Sequence, residues 1–209
     1  GFPMPSVVEI SGSGMCNRKC VFCPRSDPDY NHVNEFISPK LVDNLTKQLS
    51  SFDYDNLILF SGFVEPLLDK NIYNLLKIVK KNLPKSNIEI ITNGDVLNKK
   101  RLLKLYESGL TCLLVSVYDG KEAEDKLLKL MKDARLKDHQ YKLRKRYLPE
   151  KESFGISMSN RGGMMANAAY AIKNPETSLK RPCFYPNYIF FMDYNGDVII
   201  CNHDWGKKM

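Results

Sequence analysis

Hydrophobic and polar positions follow two periods along this chain. Ser6–Ile10 reads as a short strand, followed by a cysteine-rich loop. Leu41, Val42, Leu45 and Leu49 then recur at helical spacing behind Ser38-Pro39, a hydroxyl cap with proline at the first helical position. Leu57–Phe60 is a short apolar run of the buried-strand type. Ile72, Leu75, Leu76, Val79 and Leu83 share a helical face that Pro84 ends. The pattern repeats. Ile88–Ile91 predicts a third strand; Leu102, Leu105 and Tyr106 predict a helix closed by Gly109; Cys112–Tyr118 predicts a fourth strand. Leu127, Leu128 and Met131 mark a fourth helix, Tyr141–Leu148 a fifth strand and Gly155–Ser159 a sixth. Strands separated by helical crossovers predict an α/β fold with a parallel sheet. Six units in about 160 residues suit a partial (β/α)6 barrel, TIM-like but open on one side.

The tail reads differently. Tyr188–Met192 and Val198–Ile200 flank Asn195-Gly196, a dipeptide that tolerates the positive φ of a tight hairpin. The expected organisation is a core barrel over residues 1–179 and the beginning of a small C-terminal β-hairpin appendage over 180–209.

Composition narrows the functional classes. No apolar run reaches the roughly 18 residues of a membrane span. The opening Gly-Phe-Pro-Met does not resemble a secretory signal, and without an initiator methionine it reads as an excised or tagged chain. The net charge is +7, and residues 121–151 hold eleven Lys and Arg against six Asp and Glu, so most of the excess lies in one segment. Without interleaved aromatics or a named motif, that segment reads as a solvated helix face, and nucleic acid is not expected as a partner. Three of the six cysteines fall within eight residues, at 16, 20 and 23. That crowding fits a cytoplasmic metal or cluster site better than a disulfide scaffold.

Cys16-Asn17-Arg18-Lys19-Cys20-Val21-Phe22-Cys23 follows the first strand directly. Thiolates are soft ligands, and three on one loop can hold three corners of a four-iron cubane, leaving one iron open. Arg18 and Lys19 are expected to favour the thiolate forms. A zinc knuckle or three buried thiols is the competing reading. Structural zinc wants four ligands, and neither a second cysteine pair nor a nearby histidine supplies the fourth. Cys112 reads as a small buried hydrophobe, and His32, His139 and His203 carry no assigned role.

The Cys-x3-Cys-x2-Cys spacing, with an aromatic before the last cysteine, resembles the radical S-adenosylmethionine superfamily. Ser61-Gly62-Phe63-Val64-Glu65-Pro66 is similar to that family's Gly-Gly-Glu-Pro motif, with Ser61 in place of the first glycine. Thr92-Asn93-Gly94 matches a further signature, and Ser116 falls where many members contact the cofactor. The resemblance implies a [4Fe–4S] cluster on Cys16, Cys20 and Cys23, with S-adenosyl-L-methionine on its open iron. It also implies that Gly62 and the Glu65 region receive the amino group and Phe22 packs near the adenine, with Thr92, Asn93 and Ser116 in the same cofactor site. Arg144, or alternatively Arg146, balances the carboxylate. Reductive cleavage would then yield a 5′-deoxyadenosyl radical.

Cys183, Gly196 and Cys201 have the spacing at which SPASM or twitch appendages begin, and Asn160-Arg161-Gly162-Gly163 also looks like that subgroup. This implies that Cys183 and Cys201 hold part of an auxiliary iron–sulfur cluster in an appendage cut short at Met209. The resemblance implies an oxidoreductase that oxidises or epimerises a small polyol or amino sugar, with Asn160 and Arg161 facing the substrate and an electron donor such as flavodoxin or ferredoxin. Radical modification of a peptide or protein side chain is the alternative within the family. A non-catalytic metal-binding module is the alternative outside it.

Overall fold

The computed structural model describes residues 3–62, 64–173, 176, 182–204 and 206–207. Its strands are β1 Val7–Ser11, β2 Leu57–Phe60, β3 Ile88–Thr92, β4 Cys112–Val117, β5 Tyr141–Lys145, β6 Ile189–Asp193 and β7 Val198–Ile199. They form one sheet in the order β5-β4-β3-β2-β1-β6-β7. Neighbours from β5 through β6 pair in parallel, and β7 returns antiparallel to β6. The crossover helices are α1 Pro39–Ser50, α2 Ile72–Asn82, α3 Lys99–Glu107 and α4 Lys121–Asp133. Two of their starts are capped by their own sequence. Ser38 Oγ accepts from the Leu41 amide at 3.2 Å ahead of Pro39, and Asn98 Oδ1 accepts from the Arg101 amide at 2.9 Å.

Period two in the strands decides which side chains meet the helices. Val8, Ile10, Ile58, Phe60, Ile88, Ile90, Leu113 and Val115 lie on one face and join a single cluster with Val42, Leu75, Leu76, Leu102 and Met131 from the four helices. Each such side chain contributes about 1.5–3 kcal/mol on burial. The intervening positions, among them Glu9, Glu89, Ile91 and Ser116, face the other way and mix polar with apolar side chains. Helices cover one face of the sheet, so the opposite face is left for chemistry.

Two details differ from the sequence-based expectation. Gly155–Ser159 is not a strand. Ser153, Phe154 and Gly155 have φ of 51°, 53° and 73°, in the left-handed region that curls a chain rather than extending it. A Cβ on Gly155 would sit 2.2 Å from the Lys145 carbonyl oxygen, so the chain is folded back hard against the end of β5. The sixth parallel strand is instead β6, in register with β1 from Val7↔Ile189 to Ser11↔Asp193. The expected hairpin is present, with Gly196 at φ 92° and Asp193 Oδ1 accepting from the amides of Asn195 and Asp197. It extends the main sheet at the β1 edge. The boundary expected at 179/180 lies outside the described residues. Among the described residues, no helix is long and apolar enough to cross a membrane.

Candidate active site

Cys16, Cys20 and Cys23 all line one cavity at the carboxyl ends of β1 to β4, where parallel α/β folds place their ligands. All three thiols are free. Burial raises the pKa of each, and Cys20, with Cys23 and Cys16 beside it, is pushed up to about 11. Among the described residues, no three His, Cys, Asp or Glu side chains converge closely enough for a single metal ion. Three thiols around one shared space, without a fourth donor, do not suit mononuclear zinc. They fit a cubane cluster held at three corners.

Arg18 does less for these thiols than its position suggests. Its Nε donates to Asp95 at 2.7 Å and its Nη1 to Asp119 at 2.9 Å. The two carboxylates, Asp119 above all, raise its pKa and compensate its charge. Lys19 is exposed. Arg18 therefore works mainly as an anchor, tying the cysteine loop to the residues beyond β3 and β4. Asn17 adds to the same tie, donating to Asp95 Oδ2 and accepting from Asn93 Nδ2, both at 2.7 Å. Asp95 and Asp119 were not found by sequence reasoning. The only available signal is an acidic residue just past a strand end, in Thr92-Asn93-Gly94-Asp95 and in Asp119-Gly120.

Glu65 is 2% exposed and binds three elements together. Its Oε1 accepts from Thr92 Oγ1 at 2.6 Å and from the Leu67 amide at 3.0 Å, and its Oε2 accepts from the Asn93 amide at 2.7 Å. Its own amide donates to the Met15 carbonyl at 2.8 Å, next to Cys16. Burial still raises its pKa, because those hydrogen bonds offset the desolvation only in part. Gly62 has φ 100°, and a Cβ there would lie 2.8 Å from Ser11, so only glycine fits. Ser61, which replaces the family glycine, donates its hydroxyl to Glu9. Phe63 lies outside the described residues.

The aromatic wall is built around Phe22. Its ring stacks on Tyr118 at 6.1 Å and packs against Phe154 at 5.2 Å. Tyr118 was missed by sequence reasoning, yet it lines the cavity with Cys20 and Ser116 and carries the Arg18 guanidinium over its ring at 4.9 Å. Gly62, Glu65, Thr92, Asn93, Ser116 and Phe22 all line the cavity with the cysteines.

Of the two arginines considered for the carboxylate, the structure brings Arg146 to the cavity and leaves Arg144 outside it. Arg144 pairs in register with Ser116 on β4, within electrostatic reach of Glu89 and Cys112. Arg146, two residues on, passes the end of β5 and reaches the opening. The half-buried Cys112 therefore sits beside charged neighbours rather than in an apolar core. Arg161 lines the cavity; Asn160 does not, and its carbonyl accepts from the amides of Gly163 and Met165. Cys183 is exposed and Cys201 half-buried. Neither lines the cavity, and among the described residues neither belongs to a group of three or more metal donors.

Comparison with known proteins agrees with this architecture. A sequence model described as the radical SAM superfamily matches residues 10–149. The S-adenosyl-L-methionine-dependent 2-deoxy-scyllo-inosamine dehydrogenase of Niallia circulans is 31% identical over 204 residues, covering 98% of this chain and 76% of that protein. The GTP 3′,8-cyclase of Aquifex aeolicus is 30% identical over 125 residues, covering 58% of this chain and 38% of that protein. Among solved structures, BtrN in complex with AdoMet and 2-DOIA aligns at TM-score 0.78 and 27% identity, over 100% of this chain and 78% of that one. An open conformation of BtrN aligns at 0.65 and 25% identity, over 99% of this chain and 74% of that one. With the cysteine loop, the Glu65 clamp and the strand-end cavity already in place, these matches show that the chain belongs to the radical SAM superfamily, whose enzymes work with a [4Fe–4S] cluster and S-adenosyl-L-methionine.

Proposed function

We propose that this chain is a dehydrogenase that removes hydrogen from a carbinol carbon of a small amino-polyol, 2-deoxy-scyllo-inosamine or a near analogue. The observation that carries the reading is the likeness to a dehydrogenase of that substrate over 98% of this chain, whereas the likeness to the cyclase covers 58% of it. Cys16, Cys20 and Cys23 would hold the cluster, and with S-adenosyl-L-methionine bound there the pair would supply the radical chemistry for removing a hydrogen atom.

The chain's own residues hold and shield that chemistry. Glu65 fixes Thr92 and Asn93 against the cysteine loop. Phe22 and Tyr118 offer a face for the adenine and exclude water from that side. Arg146 and Arg161 both line the cavity; in this reading Arg146 balances the cofactor carboxylate and Arg161 faces the substrate. Oxidation of an alcohol to a ketone removes a hydrogen atom, a proton and one further electron, so an electron acceptor is required. Cys183 and Cys201 are proposed as part of a SPASM- or twitch-type auxiliary cluster in that role, and a flavodoxin or ferredoxin as the donor that starts each turnover.

The test is anaerobic incubation of the reconstituted, reduced protein with cofactor and a panel of amino-polyols. The expected result is faster 5′-deoxyadenosine formation with 2-deoxy-scyllo-inosamine or an analogue, together with the matching ketone. Stimulation by peptides alone would move the protein to the peptide-modifying class.

A further inference from the structure

His203 carries no role in the sequence reading, yet it reaches the active-site cavity through one contact. Its Nε2 lies 2.9 Å from Arg161 Nη1, across 42 residues of chain. Arginine nitrogens only donate, so Nε2 is the acceptor and the imidazole proton sits on Nδ1. Arg161 itself lines the cavity that holds the three cysteines. Among the described residues it has no carboxylate partner, and its half-buried guanidinium is set in surroundings that disfavour its charge. A guanidinium has five N–H donors. The contact with His203 uses one, and the fork keeps further donors for a ligand.

The backbone is held under strain to put that side chain there. Arg161 has φ 50°, and Gly162 and Gly163 follow at 63° and 92°. A non-glycine residue in the left-handed region costs of order 1 kcal/mol and persists only where its surroundings impose it. A Cβ on Gly162 would lie 3.1 Å from the His203 carbonyl oxygen, so the two turns press on each other. The tail turn is fixed on its other side as well: Asn202 Nδ2 donates to Glu9 Oε2 on β1 at 3.3 Å, and the Asp204 amide donates to the Cys201 carbonyl at 2.9 Å. Arg161 is thus aimed by a residue of the tail turn that is itself pinned to the sheet.

We propose that His203 is a positioning residue that holds Arg161 as the arm gripping a hydroxyl oxygen of the substrate, which makes the turn after β7 a determinant of substrate specificity. The assignment rests on the amino-polyol reading above. A polyol offers oxygen acceptors at fixed spacing, and a planar fork of donors reads such spacing better than a point charge does. The competing role for Arg161 is to balance the negative charge of the cluster thiolates, since Cys23 lies within its electrostatic reach.

The experiment uses the anaerobically reconstituted protein with S-adenosylmethionine, and measures binding of the stimulating amino-polyol by calorimetry before any reductant is added. H203A and R161K are each expected to weaken polyol binding roughly tenfold, the loss of one hydrogen bond to a charged group. The dissociation constant for S-adenosylmethionine and the electron paramagnetic resonance spectrum of the reduced cluster should stay close to wild type. H203Q, whose amide oxygen can accept from Arg161, should recover most of the lost affinity and shows that H203A is not simply misfolded. Unchanged polyol affinity in H203A, or an H203Q variant as weak as H203A, would overturn the positioning role. Equal changes in the cluster spectrum and in polyol affinity would assign Arg161 to the cluster instead. If the wild type binds none of the amino-polyols, the substrate reading fails first and this assignment falls with it.

Discussion

A chain in which Cys16, Cys20 and Cys23 are all alanine is expected to take up no cluster at this site and to form 5′-deoxyadenosine only at the detection limit. The loss should be total rather than graded. The three thiols face one cavity, and the Glu65 carboxylate that shares it is already taken up by Thr92, Leu67 and Asn93. The fold should survive the change. The loop lies outside the apolar cluster that joins strands to helices, and it remains tied down by Arg18 to Asp95 and Asp119. The check pairs iron and sulfide analysis with circular dichroism of the same preparation. A triple variant that still binds four irons and still cleaves the cofactor would mean that the cluster sits elsewhere. Iron held at Cys183 and Cys201 is separable, because it should remain in the triple variant without supporting cleavage.

The second large effect is expected at Glu65. Its replacement by alanine removes the acceptor of the Thr92 hydroxyl and of the Leu67 and Asn93 amides. Two opposing terms decide the outcome. Deleting a buried carboxylate relieves the desolvation that raises its pKa, but it leaves buried donors without partners, at about 1–3 kcal/mol each. Removing one side of a satisfied buried network usually costs more than the charge itself. A net loss of roughly 3 kcal/mol is expected, which for a chain of this length lowers the thermal midpoint by about 6–12 °C. Because Glu65 also donates its amide to Met15 beside Cys16, the variant should reconstitute less cluster. An unchanged midpoint with full cluster content would show that the Glu65 clamp is dispensable.

What the sequence reveals, and what it conceals, divides along the range of the interactions involved. The helices α1 to α4 are legible because their signals are local: Ser38-Pro39 opens α1, and the apolar face of α2 is continuous from Ile72 to Val79. The cysteine spacing and the motifs at the ends of β2 and β3 are also local, and the structure gathers them into one cavity. The partners of Arg18 are not legible, because Asp95 and Asp119 lie 77 and 101 residues away. The same holds for His203 and Arg161. At β5, period two puts Arg144 and Arg146 on one face; only the depth of the strand within the sheet decides which of them reaches the opening. Strand β6 shows a signal that was present but read too narrowly. Phe190 and Met192 pack toward the helix-side core while Phe191 and Ile189 pack on the other face. Such a run, apolar on both faces, is the mark of a strand inside a parallel sheet rather than of a free hairpin. Conversely, the apparent strand at Gly155–Ser159 fails on backbone conformation at Ser153, Phe154 and Gly155, which apolar patterning does not report.

The central claim is that Cys16, Cys20 and Cys23 hold a cluster that splits S-adenosylmethionine by reduction. The most direct measurement is chromatography of the products formed when the anaerobically reconstituted wild-type protein is incubated with S-adenosylmethionine and dithionite. The account predicts 5′-deoxyadenosine and methionine in equal amounts, dependent on the reductant and absent from the triple cysteine variant. S-adenosylhomocysteine as the only product, or no product from protein carrying its full complement of iron, would contradict it.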